Sequence, residues 1–77
     1  RDDWALESLA NGLGKLKTED VMNMENWKLI VYSVLAQYDK LDTAGKILEE
    51  YEEILKNLDY DSVALLVKIV IRTTYSS

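Results

Sequence analysis

The chain has 77 residues, a formal net charge of −5, and neither histidine nor cysteine. Its length allows one domain at most, which would bury about 60% of the surface that the unfolded chain exposes. Its apolar fraction of 48% is too high for a disordered segment. The negative charge argues against DNA and RNA as partners. Without disulfides or histidine and cysteine ligands for zinc, stability must come from apolar packing.

The beginning of the chain gives two further expectations. Its start at Arg1 instead of Met suggests a fragment or a processed product, and we expect residues 1–77 to form a single helical domain. The first residues show no signal-peptide pattern, which together with the absence of cysteine favours a reducing intracellular compartment. No apolar run approaches the roughly 20 residues that a membrane-spanning helix needs, so we expect no membrane span.

Apolar residues recur at three- and four-residue spacing along most of the chain, as expected for amphipathic helices. The predicted helices cover residues 3–13, 18–25, 26–38, 43–58 and 62–74. The expected N-caps are Asp2 or Asp3, Thr18, Asp42 or Thr43, and Asp61 or Ser62. Two glycines, Gly12 and Gly14, weaken the second half of the first helix, because glycine costs about 1 kcal/mol relative to alanine in a helix interior.

The most apolar stretch is Val63–Ile71, in which Lys68 is the one residue that is not apolar. Its valines and isoleucines would also suit a buried strand. However, Lys68 and Arg72 are four residues apart, as on one side of a helix, and no second strand is available to satisfy the backbone of a lone strand. We therefore predict a helix around which the other helices pack.

The fold class predicted from these segments is all-α, a single compact bundle of four to five short helices. The core residues are those that fall on the apolar stripes of the helices. They are Leu6, Leu9, Leu13, Trp27, Ile30, Val31, Val34, Leu35, Ile47, Leu48, Tyr51, Leu55, Leu58, Leu66, Val67 and Val70.

The residue types of most catalytic sites are missing. A serine nucleophile would have no histidine as its base, and no motif supplies a lysine or carboxylate in its place. The carboxylates of residues 49–53 are expected on the solvated face of their helix, where Glu52 and Lys56 would form a favourable pair. We expect a protein that is not an enzyme and carries no cofactor or metal.

Segment Tyr38–Tyr51 resembles a degenerate EF-hand. Asp39 takes the first ligand position, after an aromatic residue, and Glu50 takes the twelfth. Position three is Leu41 and position six is Ala44, where a calcium loop needs an oxygen ligand and a glycine. The resemblance implies a calcium-free helical lobe that grips a partner helix.

The leading functional hypothesis is a non-catalytic interaction domain of the adaptor or scaffold type. Four apolar residues lie off the main stripes and could form a groove for a partner protein or for self-association. They are Leu29, Tyr32, Leu65 and Ile69. Besides the EF-hand-like lobe, a further alternative is an acidic inhibitor or immunity-type protein that covers a basic site on an enzyme.

Overall fold

A computed structural model describes residues 3–75 of the chain, and all of its regular structure there is helical. The α-helices are α1 (Trp4–Gly12), α2 (Thr18–Asn23), α3 (Asn26–Gln37), α4 (Ala44–Leu55) and α5 (Tyr60–Val70). Short 3₁₀ turns follow α1 (Leu13–Lys15) and precede α4 (Leu41–Thr43), and a π-helical turn (Ile71–Tyr75) extends α5. The predicted all-α bundle is confirmed, and the described residues have a radius of gyration of 11.2 Å.

The centre of the bundle is α3, which packs against α1, α4 and α5. Seven of its twelve residues are buried. They are Trp27, Ile30, Val31, Ser33, Val34, Leu35 and Ala36. The prediction that Val63–Ile71 is central is wrong, because α5 buries only one side, against α1 and α3, and leaves residues exposed on the other.

The predicted helical state of Val63–Ile71 is confirmed, although the helix begins earlier than expected. Asp59 is its N-cap, and the Asp59 carboxylate accepts a hydrogen bond of 2.8 Å from the Ser62 backbone N–H. Asp61, one of the two predicted caps, accepts a 2.9 Å hydrogen bond from the Ala5 backbone N–H instead. This bond joins the first turn of α5 to the first turn of α1.

Helix α1 buries a different face from the predicted one. Leu6 is 64% exposed and Leu13 38% exposed. The small residues that immediately precede the predicted core leucines of α1 in the sequence are buried instead. These are Ala5, Ser8 and Gly12. Since one residue corresponds to about 100° around a helix, α1 is rotated by that angle from the predicted orientation.

Gly12 explains the rotation. A Cβ atom placed on Gly12 would overlap the backbone carbonyl of Ser33, so the backbones of α1 and α3 meet directly at this point. The predicted role of Gly12 as a weak point in the helix is therefore incomplete, since the residue also permits a close backbone contact between α1 and α3. A larger residue would hold α1 away from α3.

The other predicted core residues are buried or half-buried. Half-buried are Leu9, Leu48, Tyr51, Leu58 and Leu66, and the remaining ones are buried.

The remaining N-cap predictions are met only in part. Asp3 is the N-cap of α1, but it has a left-handed backbone (φ 54°) and its side chain caps nothing. Asp2 lies outside the described residues. Lys17 precedes α2, so Thr18 is its first residue and not its cap. Thr43 precedes α4, but its hydroxyl donates to the Lys40 carbonyl oxygen at 2.7 Å.

No helix in the described part of the chain combines the length and the apolar character needed to cross a membrane.

Candidate functional site

The four predicted partner-binding residues do not form one surface. Leu65 and Ile69 are 38% and 46% exposed and line the same depression. Tyr32 is half-buried and lines a different depression, beside the 3₁₀ turns. Leu29 is also half-buried and lines neither of the two. The structure therefore brings together only the two residues of α5.

The depression at α5, called here the α5 surface, has a volume of about 180 Å³. It is formed by α5, the π-helical turn that extends α5, the first residue of α1 and the residue that follows α3. Its lining residues are Trp4, Tyr38, Leu65, Lys68, Ile69 and Arg72. Leu65 and Ile69 are four residues apart, so they stand one above the other on the outer side of α5.

The charged groups of the α5 surface are both cationic. The ammonium group of Lys68 lies 5.7 Å from the centre of the Trp4 ring, within the range of a cation–π interaction. Arg72 is exposed one turn further along, in the π-helical turn that extends α5. The ion pairs within residues 3–75 are Lys15–Asp39 and Lys56–Glu53. Neither Lys68 nor Arg72 belongs to one, and no carboxylate is among the described residues that line the depression.

Sequence reasoning missed four of the six residues in this surface. Lys68 and Arg72 carried a usable signal, because their four-residue spacing already indicated that both lie on one side of a helix. Trp4 and Tyr38 carried none, since they come from other helices and reach α5 only through the tertiary fold. Tyr38 is 45% exposed at the end of α3.

A second depression, of about 370 Å³, lies between the starts of α1 and α5. Its apolar part includes Leu6 and Tyr60, which are 64% and 48% exposed. Two of its acidic residues, Asp59 and Asp61, already accept backbone hydrogen bonds that begin α5 and α1. These carboxylates therefore have a structural role at the helix ends.

The depression that contains Tyr32 also measures about 370 Å³. Its lining residues are Lys15, Leu16, Lys17, Asp20, Met24, Tyr32 and Leu41. Lys15 is 3.5 Å from the carboxylate of Asp39, and Asp20 adds a negative charge. This depression mixes both signs of charge, unlike the α5 surface.

The acidic face of α4 is exposed at Glu49, Glu50, Glu52 and Glu53. Lys56 binds Glu53 at 3.0 Å, not Glu52 as the spacing predicted. The hydrogen bond that Lys56 donates to the Glu53 carboxylate, and the negative charge of that carboxylate, raise the pKa of Lys56 above its usual value. Within residues 3–75, no group of three or more acidic side chains is arranged to hold a metal ion.

The EF-hand-like segment folds differently from a calcium loop. Asp39 has a left-handed backbone (φ 55°), and Lys40 N–H donates to the Leu35 carbonyl oxygen at 2.7 Å, which is the Schellman pattern of a helix end. Helix α4 begins at Ala44, the sixth position of the supposed loop. The open stretch is therefore too short to wrap oxygen ligands around calcium.

Comparison with known proteins adds no relative. The chain matches no family model, and neither a curated protein nor a solved structure is significantly similar to it.

Proposed function

We propose that this chain is a non-catalytic interaction module that binds a protein partner through the α5 surface. The observation that supports this proposal is the exposure of Leu65 and Ile69 on the outer side of a helix whose inner side is fully buried at Val63 and Val67. An apolar side chain gains about 1.5–3 kcal/mol from complete burial. A partner that covers these residues, together with Tyr38, would gain part of that amount at each.

The proposal also explains why the apolar character of α5 continues around the helix. An isolated bundle needs one apolar stripe on a peripheral helix, with polar residues opposite. In α5 the outer positions carry Leu65 and Ile69 in place of polar residues. Leu65 and Ile69 remain 38% and 46% exposed, so a binding role accounts for the exposed part of their surface better than a role in the core does.

The test compares two variants of the chain as baits for co-purification, each quantified by mass spectrometry against the unaltered chain. Leu65→Gln combined with Ile69→Gln removes the apolar part of the α5 surface. Ile54→Gln is the matched control, because Ile54 is 53% exposed on α4 and lies outside the surface. We expect proteins that bind the unaltered chain and the control but not the double variant.

Circular dichroism of all three chains verifies that they are folded. Sedimentation at rising concentration shows whether the bound partner is a second copy of the chain. If the double variant retains the same bound proteins and the same sedimentation behaviour as the control, the α5 surface is not the binding site.

A second candidate function is supported by the acidic face of α4. Its exposed glutamates could cover a basic site on an enzyme, as an acidic inhibitor would. Binding of that kind weakens steeply as the salt concentration rises. Reversal of Glu49 and Glu52 to lysine should then abolish it, whereas the double variant of α5 should not.

A further inference from the structure

We propose that the occupant of the α5 surface is an acidic amphipathic helix of a partner protein. It would place one large apolar side chain in the depression and its carboxylates beside Lys68 and Arg72. This inference rests on the proposed function and specifies the chemistry of the partner.

The size of the depression fits a single anchor residue. A cavity of about 150 Å³ lined by apolar side chains accommodates a benzene molecule, and the depression measures about 180 Å³. Its apolar lining comes from Trp4, Tyr38, Leu65 and Ile69. A leucine, phenylalanine or similar side chain of the partner therefore fits the depression.

The charge of the surface favours an acidic partner. Lys68 and Arg72 flank the depression and form no ion pair within residues 3–75. Complementary charges at the rim of an interface speed association and exclude partners of the same charge. A basic partner would meet these two cations at close range, so its binding would be opposed.

The same charges disfavour a second copy of this chain. A two-fold symmetric dimer uses the same patch on both molecules. A dimer formed through the α5 surface would thus bring two copies of Lys68 and two of Arg72 into one small interface. Their mutual repulsion favours a different protein as the occupant.

The architecture of the surface favours a helix as the partner element. Residues 3–75 contain no strand and thus offer no sheet edge for an extended peptide. The exposed apolar side chains instead form a ridge along α5, of the kind that packs into the groove of another helix. Partner helices of this type present apolar anchors at three- and four-residue spacing.

The experiment titrates the isotope-labelled chain with a soluble helical peptide composed of leucine and glutamate, followed by nuclear magnetic resonance. The control peptide has the same length and leucine pattern, with lysine in place of glutamate. We expect the acidic peptide to shift the signals of Leu65, Ile69, Tyr38 and the Trp4 indole, and the basic peptide to leave them in place.

Two variants test whether the affinity for the acidic peptide depends on the positive charges of the α5 surface. Lys68→Glu combined with Arg72→Glu should weaken binding of the acidic peptide by about tenfold, because two attractive charges at the rim are replaced by two repulsive ones. Lys46→Glu, on exposed α4, introduces the same kind of change elsewhere and should leave the affinity within about twofold of the unaltered chain.

Several results would overturn the inference while leaving the proposed function standing. One is equal or stronger binding of the basic peptide, and another is a dimer that disappears in the Leu65→Gln, Ile69→Gln variant. The absence of any shift at millimolar acidic peptide would also overturn it. The proposed function itself depends on the co-purification result, which requires no assumption about the charge of the partner.

Discussion

Helices α1 and α4 both pack on the central helix α3, but they use opposite kinds of side chain. Helix α1 buries small residues, and at Gly12 its backbone meets the carbonyl of Ser33. Helix α4 buries large aliphatic residues, with Ile47 at 1% and Leu55 at 0% exposure. One contact depends on the absence of a side chain, and the other depends on its presence.

The two contacts are therefore sensitive to opposite kinds of substitution. Removing atoms from α4 leaves a cavity, because the neighbours of a buried leucine relax only partly. Adding atoms to α1 forces two backbones apart, because a packed interior has no space for them. Substitutions in each helix therefore test whether this description of the bundle is right.

The largest effect is expected for Leu55→Ala in α4. Loss of this fully buried side chain should lower the free energy of unfolding by about 3 kcal/mol. Its neighbour Ile54 is 53% exposed, and Ile54→Ala should cost less than about 1 kcal/mol. Urea denaturation followed by circular dichroism measures both. Equal costs would show that α4 does not pack through the face described.

A somewhat smaller loss, about 2–3 kcal/mol, is expected for Gly12→Ala in α1, because the added methyl group overlaps the Ser33 carbonyl. Gly45→Ala in α4 is the control, since a Cβ at Gly45 meets nothing within 4 Å. There alanine should stabilise the chain by about 0.5 kcal/mol through helix propensity. The same denaturation experiment shows whether each substitution raises or lowers the free energy of unfolding. Stabilisation by both substitutions would rule out the close approach of α1 and α3.

The smallest effect concerns the start of α1, which depends on a distant residue. Asp61 accepts a hydrogen bond from the Ala5 N–H, a group that an N-cap side chain usually satisfies. Asp61→Ala should cost about 1 kcal/mol and speed hydrogen exchange at the Ala5 amide. Asp61→Asn retains an acceptor oxygen and should cost less. Unchanged exchange at Ala5 in the alanine variant would argue against this cap.

Helix positions were predictable because burial produces a periodic pattern in the sequence. The long amphipathic helix α4 has all four of its glutamates at positions 49–53 on the exposed side, as predicted. The helical state of Val63–Ile71 followed from a different argument, the lack of a partner strand. The first conclusion uses the spacing of residues within one helix. The second uses the absence of a second strand-like segment in the chain.

The orientation of α1 was not predictable in the same way. Its leucines form a regular stripe, and periodicity alone assigns the largest apolar residues to the core. The bundle instead buries Ala5, Ser8 and Gly12, because a close helix contact requires small residues at the point of contact. Whether a glycine weakens a helix or permits such a contact depends on the neighbouring helix.

The candidate site likewise contains some residues that the sequence identifies and others that only the tertiary structure brings together. Leu65 and Ile69 were recognised from the sequence because they lie off the apolar stripe of their own helix. Trp4 and Tyr38 were not, because only the packing of α1 and α3 brings them beside α5. Tyr32 and Leu29 were assigned to the same surface, yet the fold places Tyr32 in a separate depression.

By itself the sequence determined an all-α bundle, the approximate extent of its helices and the apolar residues left on the outside of α5. Each of these depends on the spacing of residues within one helix. The tertiary structure decided that α3 is central, that α1 presents its small residues, and that Lys68 and Arg72 border an aromatic depression. Those features depend on how one helix packs against another. The spacing of residues within a single helix does not specify that packing or the distances between helices.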